Sequence, residues 1–425
     1  MRRTAQPSDY GRNEAYYEGA SRLAALGVTL PPQVRVLELV VNWPRLVVDS
    51  IEERLDVEGF RLAGESQTDD RMWGWWQENH LNEESSLVHL EALLQSIAFV
   101  IVGPGADPDV PAITTHSSKG MSYRLDPVTR EVVEAAREYR DESGQRWAAH
   151  YTDTDITYYW QSGAGWRTDR TVPHSAGMVP VVPFVNRARI DDRCGRSEIA
   201  DVIGITDAAS RTLTNMQIAQ ELVAIPQRYV VGASAGDFQD ESGRFKTAWE
   251  AYIGNLMIVE NENAKPGQFP GANLQTFTEV VNLYGRLVCS VSGLPPNFLG
   301  FISENPASAD AIRAGEARLV KRAERKQRAF GESWERVMRC AARMAGGSSA
   351  SDSARLETVW RDASTPTLAA RSDSAVKLYQ SGLLPADMAR ELIGLTPEQR
   401  ARAAELEQDP VLAADRGLQG LPRFA

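Results

Sequence analysis

The sequence predicts an α+β fold, and three observations lead to this prediction. A long amphipathic pattern over residues 306–347 predicts one helix, and a shorter helical pattern over residues 276–293 precedes it. Between residues 113 and 170 the apolar period falls to two, which predicts an antiparallel meander. A last strand pattern and several short helical patterns follow the long helix. Helices and strands that are segregated along a chain are typical of the α+β class.

The composition narrows the class of protein further. The 425 residues are 43% hydrophobic and 24% charged, which is typical of globular proteins and is enough for two or three cores. The apolar runs at 97–102 and 178–185 are too short for a membrane span, and the N-terminus has no apolar signal-peptide core. The net charge of −11 argues against a protein that binds nucleic acid tightly.

Cysteine usage indicates a reducing compartment. Cys194, Cys289 and Cys340 lie far apart in the sequence and form no C-x-x-C pair. This spacing predicts neither a disulfide framework nor a zinc site, and it suits a cytoplasm.

The N-terminal region begins with helical patterns. We predict helices at Glu14–Leu26 and at Val34–Val57, the second interrupted at Pro44. A helix at Ser85–Ala98 and a strand at Phe99–Val102 follow.

Three tryptophans, Trp73, Trp75 and Trp76, lie between the second and third of these helices. They could form a platform for a sugar or a base. We favour a position in the core or at a subunit interface, where tryptophan is enriched.

The meander is marked by turn signals at residues 142–144, 153–155 and 163–165. Its strands show no interleaving of basic and aromatic residues of the kind expected in a sheet that reads nucleic acid. An extended segment at Met178–Arg189 leads into a helix at Ser197–Ala224 that ends before Pro226.

An insert separates this helix from the one at residues 276–293. We predict strands at Gln227–Val231 and Asn255–Val259, a short segment at Phe245–Tyr252, and a return through prolines and glycines. The residues of this return are Pro266, Gly267, Pro270 and Gly271.

The long helix is preceded by a 15-residue loop, SGLPPNFLGFISENP, whose apolar side chains need a partner surface or a function. Asn305 is a suitable N-cap, Pro306 suits the first helical position, and the pair Gly346-Gly347 predicts the end of the helix. After it we predict a strand at Leu356–Trp360.

Helices follow from Thr365-Pro366 to Ser381, from Pro385 to Leu392, and from a capping box that begins at Thr396. We expect the last fifteen residues to be frayed.

Motifs for catalysis are scarce. Gly232 to Gly236 matches G-x-S-x-G around Ser234, but the last histidine, His174, precedes the serine, so the order of a hydrolase triad is absent. The five histidines show no metal-binding spacing, and no phosphate-binding loop motif occurs. We therefore expect no enzyme activity, no cofactor and no bound metal.

The order of helix, Gly293-Leu294-Pro295-Pro296 loop and long charged helix resembles the portal proteins, or head-to-tail connectors, of tailed bacteriophages, in particular the siphophage-like portals. The segments NWPRLVVDSIEERLDVEGFRL and CGRSEIADVIGITDAASRTLTNMQIAQE also resemble that family. The resemblance spans roughly residues 14–400. It implies a portal subunit in a ring, usually of twelve, through which DNA enters and leaves the capsid.

The resemblance also implies a division of the chain. The expected parts are a wing at 1–190, a stem helix at 191–225, a clip insert at 226–275, a second stem helix at 276–293, a tunnel loop at 294–305, a long wing helix at 306–347, a C-terminal wing strand with a small helical crown at 348–408, and a flexible tail at 409–425. The residues expected to face DNA are Asn297, Phe298, Leu299, Phe301, Ile302, Ser303, Glu304 and Asn305.

The partners implied are other copies of the chain, double-stranded DNA bound without sequence preference, the large terminase motor, a head-completion or adaptor protein, and the major capsid or scaffolding protein. The location implied is the portal vertex of the virion, after assembly in the host cytoplasm. Two alternatives remain open at this stage, a serine hydrolase centred on Ser234 and a capsid-associated structural protein that is not a portal.

Overall fold

The computed structural model describes residues 7–21, 39–62, 68–163, 165–223, 228–231, 265–268, 274–301, 309–346, 355–364, 368–395 and 397–408. The chain divides into two compact units. The first comprises Met1–Gly19, Asn42–Ile203 and Cys289–Ala425, and the second comprises Ala20–Val41 and Gly204–Val288.

The helices are α1 (Pro7–Tyr17), α2 (Trp43–Glu52), α3 (Asp70–Glu78), α4 (Leu81–Gln95), α5 (Ile203–Val223), α6 (Gln275–Ser292), α7 (Ala309–Met344), α8 (Leu368–Gln380), α9 (Ala386–Ile393) and α10 (Pro397–Gln408). The strands are β1 (Val57–Leu62), β2 (Ile97–Gly103), β3 (Ala112–Ser117), β4 (Met121–Leu125), β5 (Val132–Arg140), β6 (Arg146–Tyr151), β7 (Asp155–Ser162), β8 (Gly165–Pro173), β9 (Val181–Val185), β10 (Arg228–Val231), β11 (Lys265–Gln268) and β12 (Leu356–Trp360). This mixture of helices and antiparallel sheets confirms the α+β class.

Strand β2 lies at the centre of the first unit. It pairs antiparallel with β3 on one side and with β9 on the other. Its apolar residues are buried on both faces, and Ile97, Phe99 and Ile101 pack against the meander. Helices α4 and α7 also contact this strand. A strand that is buried on both faces usually has a continuous apolar sequence. The sequence IAFVIV of β2 is of this kind.

The meander forms a five-stranded antiparallel sheet in the order β4-β5-β6-β7-β8, which confirms the predicted meander from residue 121 onwards. The prediction is wrong for residues 113–117, which lie in β3 and pair with β2. Alternate residues such as Ala149, Tyr151 and Ile156 are buried in the core. Basic and aromatic residues nevertheless meet across the strands of this sheet. The register brings Arg170 opposite Tyr158 and Arg167 opposite Trp160, a pairing across strands that single-strand inspection cannot detect.

Aromatic side chains fill the core beside α7. Trp76 packs edge-on against Trp334 at 4.8 Å, and Phe184 packs edge-on against Trp334 at 4.7 Å. Trp75 and Trp76 are both buried. The preference for a core position over a binding platform is confirmed for these two tryptophans, while Trp73 is half-buried and stacks on Trp76 at 5.8 Å.

The long helix and its neighbours agree with the sequence patterns. Helix α7 contains 36 residues and ends before Gly346, which gives a length of roughly 54 Å. The predicted cap at Asn305 and Pro306 lies outside the described residues. Strand β12 has the predicted bounds and pairs antiparallel with β1. Helices α8, α9 and α10 form the predicted C-terminal helical series, and Gly382 follows α8 with a φ of +72°.

Two helix predictions near the N-terminus are wrong in their bounds. Helix α1 begins at Pro7 and has ended before Gly19, whose φ is +67°. Residues 39–42 are not helical, and α2 starts at Trp43, because Pro44 lacks an N–H and is tolerated only in the first turn. Val57 belongs to β1.

Two further predictions need correction. Ile97 and Ala98 lie in β2 because Ser96, with a φ of +76°, ends α4 first. In the second unit, Pro266 and Gly267 lie in β11, which pairs with β10. A two-stranded sheet has only edge strands, where proline is tolerated. The predicted segments at 245–252 and 255–259, together with Pro270 and Gly271, lie outside the described residues.

The second unit contains most of α5 and α6. The hydroxyl of Thr214 accepts from the Leu39 N–H at 3.2 Å, and the hydroxyl of Ser210 accepts from the Val41 N–H at 3.2 Å. The extended chain before α2 is thereby fixed along α5. The predicted start of the helix at Ser197 is wrong, because Glu198–Asp201 forms a 3₁₀ turn and α5 begins at Ile203. This turn belongs to the first unit.

Candidate functional site

The candidate site lies within the first unit, where α6 ends and the chain turns towards α7. Gly293 follows the last residue of α6 with a φ of +78°, and its N–H donates to the Cys289 carbonyl at 2.9 Å. This is the left-handed C-terminal cap that glycine favours. A Cβ at Gly293 would approach the Arg322 and Arg318 side chains at 3.2 and 3.3 Å. Leu294, only 3% exposed, then anchors the segment in the core.

The segment after Leu294 contains the described part of the predicted DNA-facing residues. Pro296–Leu299 forms a 3₁₀ turn that ends at Gly300, and the Phe301 N–H donates to the Pro296 carbonyl at 3.2 Å. Asn297 is exposed, and Phe298, Leu299 and Phe301 are half-buried. Ile302, Ser303, Glu304 and Asn305 lie outside the described residues. The structure therefore brings four of the eight predicted residues together in one short turn.

The ring of Phe298 is held by a cation. The Arg54 guanidinium lies 6.0 Å from the centre of that ring. Arg54 is itself buried, donates to the Ser50 carbonyl at 2.9 Å and lies 3.9 Å from the Glu316 carboxylate. The turn therefore lies beside Arg54, two residues after the end of α2.

Two arginines of α7 cap the end of α6. Arg318 donates to the Ser290 carbonyl at 2.7 Å, and Arg322 donates to the Val291 carbonyl at 3.2 Å and to the Ser292 carbonyl. The last carbonyls of a helix have no partner within it and carry the negative end of the helix dipole. Cations at these positions satisfy the carbonyls and stabilise the end of α6.

Arg322 also belongs to a buried charge cluster around Glu198. Its guanidinium contacts the Glu198 carboxylate, which lies 3.2 Å from the Lys326 ammonium and accepts from the Asn186 amide at 3.0 Å. Lys326 also donates to the Asn186 side-chain oxygen. We call Glu198, Arg322, Lys326 and Asn186 the Glu198 cluster. It joins the 3₁₀ turn before α5, the residue after β9, and α7.

Electrostatics keep Glu198 ionised although it is only 2% exposed. Burial alone would raise its pKa, but the cations of Lys326 and Arg322 and the Asn186 hydrogen bond outweigh burial and lower the pKa of Glu198 to about 2. Burial lowers the pKa of Lys326, and the Glu198 carboxylate opposes that shift. The cluster is a buried, hydrogen-bonded ion network that sets the position of the α6 end relative to α7.

Sequence reasoning missed this cluster. One feature of the sequence could have indicated buried charge: Arg322 and Lys326 lie on the apolar stripe of α7. The buried residues of that stripe around them are Leu319, Ala323 and Phe330. The partner of Arg322 and Lys326 lies 124 and 128 positions earlier in the chain, so spacing alone could not identify it.

No group of three or more His, Cys, Asp or Glu side chains among the described residues could hold a metal ion. A shallow depression of about 440 Å³ is lined by Arg71, Trp75, Glu78 and Asp109, without a nucleophile. Ser234 and its glycines lie outside the described residues.

No helix within the described ranges combines the length and the apolar character that a membrane crossing requires.

The fold of this chain is similar to that of a protein of known structure. It matches a chain in the solved structure titled "Neck of native GTA particle computed with C12 symmetry", with a TM-score of 0.50 at 15% identity over 93% of this chain and 95% of that one. The chain therefore shares the α+β fold of that neck chain.

Sequence comparison gives the family. The family described as "Phage portal protein, SPP1 Gp6-like" matches residues 2–409. The portal protein of Mycobacterium phage L5 is 37% identical over 97% of this chain and 87% of its own length, and that of Mycobacterium phage D29 is 38% identical over 96% and 87%. The chain belongs to the phage portal protein family and is a structural subunit of the virion. The family assignment gives no support to the hydrolase alternative.

Proposed function

We propose that copies of this chain, twelve in number, close into a ring at one capsid vertex, and that double-stranded DNA passes through the ring during packaging, retention and ejection. The subunit acts in this proposal as a channel wall and a docking surface, without covalent chemistry. Membership of the portal family supports the ring.

One observation carries the proposal, an apolar stripe along α6. Leu283, Leu287 and Val291 recur every four residues, and they are 54, 43 and 41% exposed. The opposite side of the same helix buries Val288 and Cys289. A helix that is apolar on two sides requires cover on both. The neighbouring subunit of a ring supplies that cover.

The segment from residue 294 to residue 305 is the proposed tunnel loop. Its exposed part begins at Pro296, since Leu294 and Pro295 are buried, and it starts from a helix end that two arginines fix. Apolar and neutral side chains such as Phe298 and Leu299 would contact DNA without neutralising its phosphates. Each neutralised phosphate releases counterions and holds the duplex, so a wall with few cations lets DNA slide. The net charge of −11 suits the same role.

The remaining parts follow the portal arrangement in this proposal. Residues 1–190, 306–347 and the strand after 348 form the wing, α5 and α6 form the stem, and the helices up to residue 408 form the crown. Residues 226–275 form the clip, where the large terminase motor and later the head-completion or adaptor protein dock. The capsid or scaffolding protein contacts the outer part of the ring.

Electron microscopy of purified protein tests the ring, with perforated twelve-fold particles as the expected result. Leu287→Glu places a carboxylate in the α6 stripe and should leave mainly monomers. Arg286→Gln is the matched control, because it changes the net charge equally at an exposed neighbouring position and should leave rings intact. Rings of Leu287→Glu at wild-type yield would rule out the stripe as the interface.

A second experiment tests the loop. Replacement of residues 297–305 by a glycine-serine linker of equal length should preserve rings and impair DNA packaging or retention in assembled particles. Normal DNA filling with the replaced loop would refute the role of this segment.

A further inference from the structure

The five-stranded sheet presents cations and aromatic rings on one face beyond the core. The face that buries Ala149 continues along the strands to an outer region that we call the arginine–aromatic face. It is formed by Arg137, Tyr139, Tyr158, Trp160, Arg167 and Arg170, which the strand register places on the same side of the sheet. These residues belong to neither the proposed tunnel loop nor the α6 stripe.

The arginines lie against the rings. Arg170 is 4.7 Å from the centre of the Tyr158 ring, and Arg137 is 4.8 Å from that of Tyr139. Arg167 lies 5.9 Å from the ring of Trp160. Such contacts orient a guanidinium at little entropic cost and leave its N–H edge able to bind carboxylates in pairs. Three guanidinium groups therefore lie against aromatic rings on this face.

The two faces of the sheet differ in their ion pairs. On the opposite face Arg124 pairs with Glu134 at 2.6 Å and Arg146 pairs with Glu138 at 3.1 Å. On the arginine–aromatic face, no carboxylate of the described chain forms an ion pair with Arg137 or Arg167, and Arg170 has only Asp169 at 3.7 Å. The carboxylate of Asp141 also lies at this face, where it accepts from the Trp147 indole at 2.8 Å. The three arginines outnumber Asp141 and Asp169, so the face remains complementary to negative charge.

Strand β8 adds an open edge beside these arginines. It is the last strand of the sheet and is exposed along its length apart from the half-buried Val172. Its outer edge pairs with no other strand in the described part of the chain. An edge of this kind can accept an extended polypeptide, whose main chain continues the sheet.

The same observations disfavour nucleic acid. The guanidinium groups already cover the rings that would have to stack on bases. Residues 121–173 hold seven arginines against nine acidic residues, so the sheet as a whole lacks the extended positive surface that a continuous phosphate backbone requires, and only the local arginines of this face attract carboxylates. The chemistry fits local carboxylates on an extended chain.

We propose that the arginine–aromatic face and the edge of β8 bind an acidic, extended segment of another protein. The segment pairs with β8, and carboxylates at alternate positions contact Arg167 and Arg170.

The test uses the full chain and a fluorescent twelve-residue peptide of alternating Glu and Val, followed by anisotropy at two salt concentrations. Arg167→Gln with Arg170→Gln should weaken binding at least tenfold. Thr168→Glu with Thr171→Glu is the matched control, because it lowers the net charge equally on the opposite face of β8, and it should weaken binding less than threefold. Thermal unfolding establishes that both variants fold.

Several results would overturn the proposal. The first would be a failure of the peptide to bind. The second would be a loss of affinity in the control variant as large as that in the arginine variant. The third would be tighter binding of a 30-nucleotide single strand than of the peptide, with dependence on the same arginines, which would identify a nucleic-acid surface. The fourth would be a loss of self-association in the arginine variant, measured by sedimentation, which would identify a second copy of this chain as the occupant. A loss of rings through Leu287→Glu tests the channel separately, so the two proposals can fail independently.

Discussion

The ammonium of Lys326 lies 3.2 Å from the carboxylate of Glu198, and both side chains are buried. Arg322 contacts the same carboxylate from one turn earlier on α7. A buried carboxylate with two cations and an amide donor tolerates its burial only while all partners remain. The pair therefore fixes the turn before α5 on α7, next to the end of α6.

Glu198→Gln should destabilise the folded chain by about 3–5 kcal/mol at neutral pH, because it leaves Lys326 and Arg322 buried without a counter-charge. Urea unfolding measures this difference. Glu324→Gln is the control, since Glu324 forms an exposed pair with Lys321 at 2.7 Å and should cost below about 1 kcal/mol. Equal effects of the two substitutions would show that the Glu198 cluster contributes no more than a surface pair.

Lowering the pH should remove the stabilisation that ionised Glu198 provides, over a defined pH range. The pKa of Glu198 is lowered to about 2 in the folded protein, while in the unfolded chain it lies near 4.3. Stability from this group is present above the unfolded pKa and is lost as the pH falls from about 4.5 to 2. The difference between wild type and Glu198→Gln should shrink over the same range. A difference that stays constant down to pH 2.5 would contradict the assignment.

His89 should produce a separate dependence at higher pH. Its ring stacks on Phe330 at 5.3 Å and accepts from the Trp334 indole at 2.9 Å, and burial lowers its pKa to about 3. In the unfolded chain the His89 imidazole binds a proton near pH 6.5. The free energy of unfolding therefore decreases as the pH falls below that value, by about 1.4 kcal/mol per pH unit. His89→Gln keeps an acceptor for Trp334 and cannot titrate. Unfolding free energies of this variant should vary less between pH 6.5 and 4.5; an unchanged slope would exclude His89 as the cause.

The sequence predicted those parts of the fold that depend on local pattern. Helix α7 and strand β12 have long or alternating apolar patterns with clear end signals, and the structure agrees with both closely. The order β5-β6-β7-β8 within the meander followed from turn residues between short strands, whereas the turn between β4 and β5 was not predicted. The α6 end and the start of its loop were located from Gly293 and the two prolines that follow Leu294.

The features that sequence did not predict depend on contacts between distant residues. The Glu198 cluster joins groups up to 140 positions apart. The pairing of Arg167 with Trp160 depends on a register that includes a bulge after Tyr158. Ser96 takes a left-handed conformation that ends α4, although nothing in its neighbourhood marks it as a helix end. Tertiary context decides all three.

Gly195 should be sensitive to the smallest substitution. It has a φ of +73°, and a Cβ there would lie 2.2 Å from the Asn186 carbonyl oxygen and 2.9 Å from that of Ser96. Gly195→Ala should therefore cost at least about 2 kcal/mol, because both neighbours are backbone atoms. Gly177→Ala is the matched control. Gly177 also has a positive φ, +58°, but no atom within 4 Å of the added Cβ, so only the conformational cost of about 1 kcal/mol applies. Equal costs at the two sites would argue against the close packing around Asn186.

Arg322 should control the rigidity of the proposed tunnel loop from outside it. Arg322→Met removes the donors to the Val291 and Ser292 carbonyls and one cation of Glu198, so the end of α6 should open more often. Hydrogen exchange of residues 293–301 should become at least tenfold faster, while the central amides of α7 keep their protection. Arg325→Met, an exposed position one residue before Lys326, should leave the exchange of this segment within twofold of wild type. Unchanged exchange in Arg322→Met would mean that Leu294 and the glycine cap alone fix the segment, and that α7 does not restrain the loop.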